Sequence, residues 1–156
     1  MMLKFFMPYA PILIPIIVAV LTQTIKLSID KIRGNLNIKN IFISYGGMPS
    51  AHTALAVSAT TLAGIVEGLD STVFALGFIF TLIIMRDAVT FRNILGKQGK
   101  LLNEMVINLP KNEQKIMPHF MERVGHSFSE VVIGAVWGVL STMILYKIFD
   151  YFYFNF

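Results

Sequence analysis

Two short polar runs stand out in a 156-residue apolar chain, GGMPSAH at 46–52 and RVGHSFSE at 123–130, and both carry side chains suited to phosphate chemistry. In the second run His126 and Glu130 are four residues apart, which puts them on one face of a helix, where the carboxylate can bond one imidazole nitrogen. That bond fixes the tautomer and leaves the other nitrogen free to attack. A histidine held this way is a competent nucleophile toward phosphorus, and Arg123, one turn earlier, can neutralise phosphate oxygens. An isolated His/Glu pair also serves as a surface ion pair. Here, however, Glu130 opens the apolar run VVIGAVWGVLSTMILY, where an ionisable group is expensive and usually has a partner and a purpose.

In the first run two glycines loosen the backbone, and Pro49 is suited to the first turn of a helix. Ser50 and His52 follow at once. A helix N-terminus presents unsatisfied N–H groups that bind anions; Ser50 can add a hydroxyl donor, and His52 can protonate a leaving alkoxide near neutral pH. The same residues also suit an ordinary glycine turn with a serine cap and an interfacial histidine. Between the two runs, MRDAVTFRNILGKQ brings Arg86, Asp87, Arg92 and Gln98. Asp87 and Arg92 either pair with each other or join the site. Upstream, Gln23, Lys26 and Arg33 continue the first apolar stretch, where a cation at a helix end commonly snorkels to the surface.

These residues must be positioned by membrane helices. Hydrophobic residues make up 55% of the chain and charged ones 14%, against roughly a quarter charged in an average soluble domain. That leaves too few charges to build a water-facing shell. The absence of cysteine excludes disulfides, thiolate nucleophiles and cysteine-held metals, leaving His, carboxylate, Ser and Lys/Arg chemistry. The net charge is +4, yet the cations form no contiguous run interleaved with exposed aromatics, so anionic lipid or phosphate fits better than nucleic acid. The N-terminal segment mimics a signal peptide but lacks a small-residue cleavage site, and reads as a retained helix.

Four apolar stretches, at about 8–25, 51–66, 71–85 and 127–149, are transmembrane candidates. The second and third are short and separated only by Glu67, Gly68, Leu69 and Asp70, which predicts a tight helical hairpin. Pro11 and Pro15 should bend the first helix. Segment 96–122 has Leu101, Leu102, Met105, Val106 and Leu109 at helical spacing, then Pro110 and Pro118 as breaks, and reads as an interfacial helix plus a loop. The expected fold is all-α: a membrane helical bundle of about four transmembrane helices plus an interfacial helix, one domain over 1–156. All of the 13 Lys and Arg except Lys4 and Lys147 fall between the first and second stretches or between the third and fourth. Loops rich in these residues stay in the cytoplasm, so both termini should face away from it. Segments 23–52, 86–98 and 123–130 then meet on one membrane face.

GGMPSAH, RDAVTFRNILGKQ and GHSFSE, in that order and spacing, closely resemble the divergent branch of the PAP2 phosphatase family, relatives of acid phosphatases and vanadium haloperoxidases. The resemblance implies a helical bundle and a metal-independent phosphatase, without cofactor, acting on lipid phosphates or pyrophosphates. The family's Pro-Ser-Gly-His signature matches Pro49, Ser50 and His52, with Ala51 replacing glycine; this implies that Ser50 holds phosphate and His52 protonates the leaving group. Its last signature ends in a His with an Asp four residues on, matching His126 as the phosphohistidine-forming nucleophile and Glu130 as its orienter. The arginine expected six residues before that His is Phe120 here, so Arg123 and Arg92 are the candidates to replace it. Lys26 and Arg33 reproduce the first signature's seven-residue spacing, with Gly34 where proline is expected.

The resulting expectation is a phosphatase of the inner (plasma) membrane with its site on the cytoplasmic face. Its substrate would be a phosphorylated membrane lipid such as phosphatidylglycerol phosphate, phosphatidate or a polyprenyl pyrophosphate. His126, His52 and Glu130 would be catalytic, and Ser50, Lys26, Arg33, Arg92, Arg123 and Asp87 would bind phosphate; no metal is expected. A membrane protein that binds or transports phosphorylated lipid without cleaving it is the alternative from the same residues. A structural subunit, with Glu130 and Arg123 as interhelical glue, is a third. So small a bundle is also compatible with a homodimer.

Overall fold

The computed structural model describes residues 9–32, 47–122 and 124–155. Six helices account for most of them: α1 (Ala10–Ile32), α2 (Ala51–Val66), α3 (Thr72–Val89), α4 (Phe91–Ile107), the single turn α5 (Lys111–Gln114) and α6 (Phe128–Asn155). No strand occurs among the described residues. The chain is an all-α membrane bundle: α1, α6 and the α3–α4 segment are long and apolar enough to cross a bilayer, and α2 is a shorter apolar helix. At 1.5 Å per residue α2 is about 24 Å long, short of the roughly 30 Å hydrocarbon core.

α2 is the centre of the bundle and packs against α1, α3 and α6. In water a helix so apolar would be a core helix; in lipid the outer helices keep apolar residues on both sides, and Leu76, Phe80 and Ile83 of α3 stand uncovered. The apolar core joins Ala10, Ile14 and Val18 of α1 to Ala54 and Leu62 of α2, flanked by Trp137, Leu145, Tyr146 and Phe149 of α6. Every fourth residue of α1 from Ala10 is buried, and the stripe turns polar as it descends: Ala10, Ile14, Val18, Thr22, Lys26.

Lipid offers helices little hydrophobic reason to associate, so close backbone approach and interhelical hydrogen bonds hold them. Both are present along α2. Gly134 and Gly138 of α6 face Ser50 and Ala54; a Cβ on Gly138 would lie 2.8 Å from the Ala54 carbonyl oxygen. One turn further, the Thr142 hydroxyl donates to Ser58 Oγ at 2.6 Å. On the α3 side, the Thr60 and Thr81 hydroxyls bond at 2.8 Å. The α2–α3 hairpin is as tight as expected, with Ser71 capping α3 by accepting from the Phe74 N–H.

Three expectations are corrected. Pro49 lies outside α2, before the N-cap residue Ser50, because the helix opens at Ala51. α6 opens at Phe128, so His126 precedes it, and the histidine and Glu130 do not share a helix face. The amphipathic helix begins at Phe91, earlier than residue 96, and only Thr90 separates it from α3. No glycine or proline lies between Thr81 and Leu95 to mark that break.

Candidate functional site

The site is built where the N-terminus of α2, the start of α6, the α3–α4 junction and the lower end of α1 converge. His126 is 8% exposed. Its backbone N–H donates to the Ala88 carbonyl of α3 at 3.0 Å, and its Nδ1 lies 3.2 Å from Glu130 Oε2. Glu130 achieves this by reaching back past the helix start, and the same oxygen accepts the Ser127 N–H at 2.9 Å. The Glu130 carbonyl in turn accepts the Ser50 N–H at 3.3 Å, tying the start of α6 to the start of α2. That approach depends on Gly134, where a Cβ would lie 2.7 Å from the Ser50 carbonyl oxygen.

Ser50 is fully buried. Its hydroxyl oxygen accepts from Thr53 at 3.0 Å, and its side chain caps none of the α2 backbone N–H groups. His52 is exposed and makes no side-chain hydrogen bond among the described residues. Its imidazole lies within electrostatic reach of Arg92, His126, Lys26 and Asp87, so groups from four helices and a loop act on one another here.

Lys26 is only 4% exposed. It does not snorkel to the surface; its stem runs beside Gly47, whose φ of +93° suits glycine and where a Cβ would come within 3.1 Å of Lys26 Cε. Arg92 at the start of α4 is fixed across the Thr90 break by Asp87 at the end of α3, with Nε donating to Oδ2 at 2.6 Å. Of the two alternatives for these side chains, the structure shows the pairing, and it leaves Arg92 within electrostatic reach of both imidazoles. Arg33 and Arg123 lie outside the described residues.

Burial is the main influence on the His126 imidazole and pushes its pKa below the ordinary 6.5; the Glu130 hydrogen bond and charge oppose this, and Lys26 and Arg92 add to the lowering. The ring is therefore neutral at pH 7. With Nδ1–H donated to Glu130, Nε2 carries the free lone pair.

A family model described as "Divergent PAP2 family" matches residues 8–141. The chain belongs to the divergent PAP2 family. It is also 33% identical over 146 residues to "Uncharacterized membrane protein YuiD" of Bacillus subtilis (strain 168), a match covering 86% of this chain and 92% of that protein. No solved structure matches the chain.

Within this divergent PAP2 member, the structure brings together His126, Glu130, Ser50, His52, Lys26, Arg92 and Asp87, all singled out in the sequence. Two neighbours escaped that reading. Thr53 bonds the Ser50 hydroxyl, and its signal was a second hydroxyl three residues into a helix. Ser127 bonds the Glu130 backbone N–H through its hydroxyl at 3.3 Å, and its signal was the Ser-x-x-Glu pattern that marks a helix start. Phe120, at the position of the family's arginine, is held by Asn103, which accepts its N–H and donates to its carbonyl.

Proposed function

We propose that this protein is a metal-independent phosphatase that hydrolyses a phosphorylated membrane lipid through a phosphohistidine on His126. The substrate class comprises phosphatidylglycerol phosphate, phosphatidate and polyprenyl pyrophosphates, and the site faces the cytoplasm from the inner membrane. The observation that carries this reading is the pairing of buried His126 with Glu130, its imidazole within electrostatic reach of Lys26, Arg92 and His52. An attacking nitrogen, two cations for the equatorial oxygens and a second histidine for the leaving group are what phosphoryl transfer requires.

In the first step His126 Nε2 forms a bond to phosphorus as the bond to the lipid oxygen breaks, and His52 delivers its proton to that oxygen. In the second, water attacks phosphorus, His52 takes up the water's proton, and the N–P bond breaks to release phosphate. Lys26, Arg92 and the first N–H groups of α2 stabilise the oxygens in both steps. Asp87 orients Arg92; a carboxylate laid against phosphate itself would be repelled. Arg33 and Arg123 complete the cationic set. The shortness of α2 fits a site recessed below the membrane surface, reached by a head group whose chains stay in lipid.

The test is phosphate release by detergent-purified protein from a panel of phosphorylated lipids, run beside His126→Ala. The wild type should release phosphate, be inhibited by vanadate and trap an acid-labile phosphoryl group, and the variant should do none of these. Full activity in His126→Ala would refute the mechanism; binding of a lipid phosphate without release from any substrate would make the protein a binder.

A further inference from the structure

We propose that Ser127 is a positioning residue for the His126–Glu130 pair, because the hydrogen bonds that cap α6 are the same ones that hold the Glu130 carboxylate on the histidine. The inference rests on the reading of His126 as the attacking group. Ser127 is the N-cap of α6: its carbonyl accepts the Val131 N–H at 3.3 Å, and its hydroxyl accepts the Glu130 N–H at 3.3 Å. Glu130, three residues on, returns the bond, its Oε2 accepting the Ser127 N–H at 2.9 Å. This reciprocal pair is a capping box. What is unusual is that Oε2 also receives His126 Nδ1, at 3.2 Å. One oxygen therefore terminates a helix and orients a nucleophile.

Geometry explains the choice of residue. A carboxylate at the third helical position must turn back over the first turn to meet the N-cap N–H, and glutamate has the extra methylene this needs. In doing so its oxygen comes level with the residue just before the cap, which is His126. A free glutamate would sample several rotamers; the Ser127 N–H selects one of them, and the hydroxyl holds the first turn in the conformation that makes it accessible. The Ser127 hydroxyl is itself steadied by Ser129, the two oxygens lying 3.0 Å apart. Both serines are exposed, so truncating Ser127 leaves no cavity.

The imidazole reports this arrangement directly and needs no substrate. The full chain in detergent, labelled with ¹⁵N-histidine, has three imidazoles, and His126→Ala assigns the relevant one. Glu130→Gln sets the limit of a lost carboxylate. Ser127→Ala should move the His126 titration and its Nδ1–H tautomer population part of the way to that limit, and Ser127→Thr, which keeps the hydroxyl, should restore both. Lys26 of α1, His52 of α2 and Arg92 of α4 also act on the ring, Asp87 of α3 is paired with Arg92, and all four are common to every variant. Should Ser127→Ala not fold, Ser127→Gly serves in its place, since glycine is a tolerated N-cap without a hydroxyl. Where a substrate has been found, Ser127→Ala should lower kcat roughly tenfold with KM unchanged, as loss of an orienting partner does. An unmoved tautomer and titration in Ser127→Ala or Ser127→Gly, with only thermal stability reduced, would make Ser127 a helix cap and nothing more. Absence of turnover on every lipid would sink the phosphatase reading while leaving the imidazole result to decide this one.

Discussion

A histidine attacks phosphorus only as the neutral imidazole, so the charge state of His126 sets the acid limit of turnover. Its pKa lies below 6.5 because burial disfavours the imidazolium more than Glu130 favours it. The acid limb of kcat/KM should accordingly fall below pH 6.5, with activity lost as pH drops through that limb. Replacing Glu130 by Gln removes the contribution that raises the pKa, so the limb should move to still lower pH. The rate at pH 7 should meanwhile drop about ten-thousandfold, as when an orienting carboxylate is lost from a catalytic histidine. A pH–rate profile of both proteins checks the two directions together, and an upward shift in the variant would contradict the assigned pairing. The residues of this candidate site could be picked out one by one in the sequence. The burial of Lys26 was not, since a lysine at a helix end reads as a snorkelling cation until its stem is seen packed beside Gly47.

At the scale of elements, the sequence located the helices, and the structure supplied how they touch. Apolar runs separated by charged or glycine-bearing segments were enough to find α1, α2, α3 and α6, because lipid demands continuous apolar stretches. The α3–α4 break escaped because Thr90 carries no breaker signal, and the contact of His126 with Glu130 was right for the wrong geometry, a back-reaching cap in place of a helix face. The α2–α6 seam is the element on which the site most depends. A methyl group on Gly138 would lie 2.8 Å from the Ala54 oxygen and 3.1 Å from Val57 Cβ. Gly138→Ala should thus cost about 1–3 kcal/mol of stability, the usual penalty of overpacking. Val136→Ala, on the uncovered side of the same helix, should stay within about 0.5 kcal/mol. Unfolding of both variants in mixed micelles tests this, and equal effects would mean that the glycines are not the contact that holds α6 to α2.

Across the whole molecule, every described group assigned to phosphate lies at one end of the bundle, and the α2–α3 turn, with Glu67 and Asp70 but no cation, lies at the other. Cations retained on the cytoplasmic side would put the site there, but cations gathered to bind phosphate produce the same imbalance whichever way the chain inserts. Because the protein has no cysteine, single cysteines separate the two causes. Leu69, 73% exposed in the α2–α3 turn, and Lys100, whose side chain on α4 is 65% exposed, mark opposite ends. Lys100 makes only a loose 3.9 Å pair with Glu104, so its loss should be nearly neutral. In intact cells a membrane-impermeant maleimide should label Leu69→Cys, and reach Lys100→Cys only after lysis. The reverse pattern would put the phosphate site outside the cytoplasm and show that its cations are concentrated by chemistry alone, so that substrate would have to reach it from the outer leaflet.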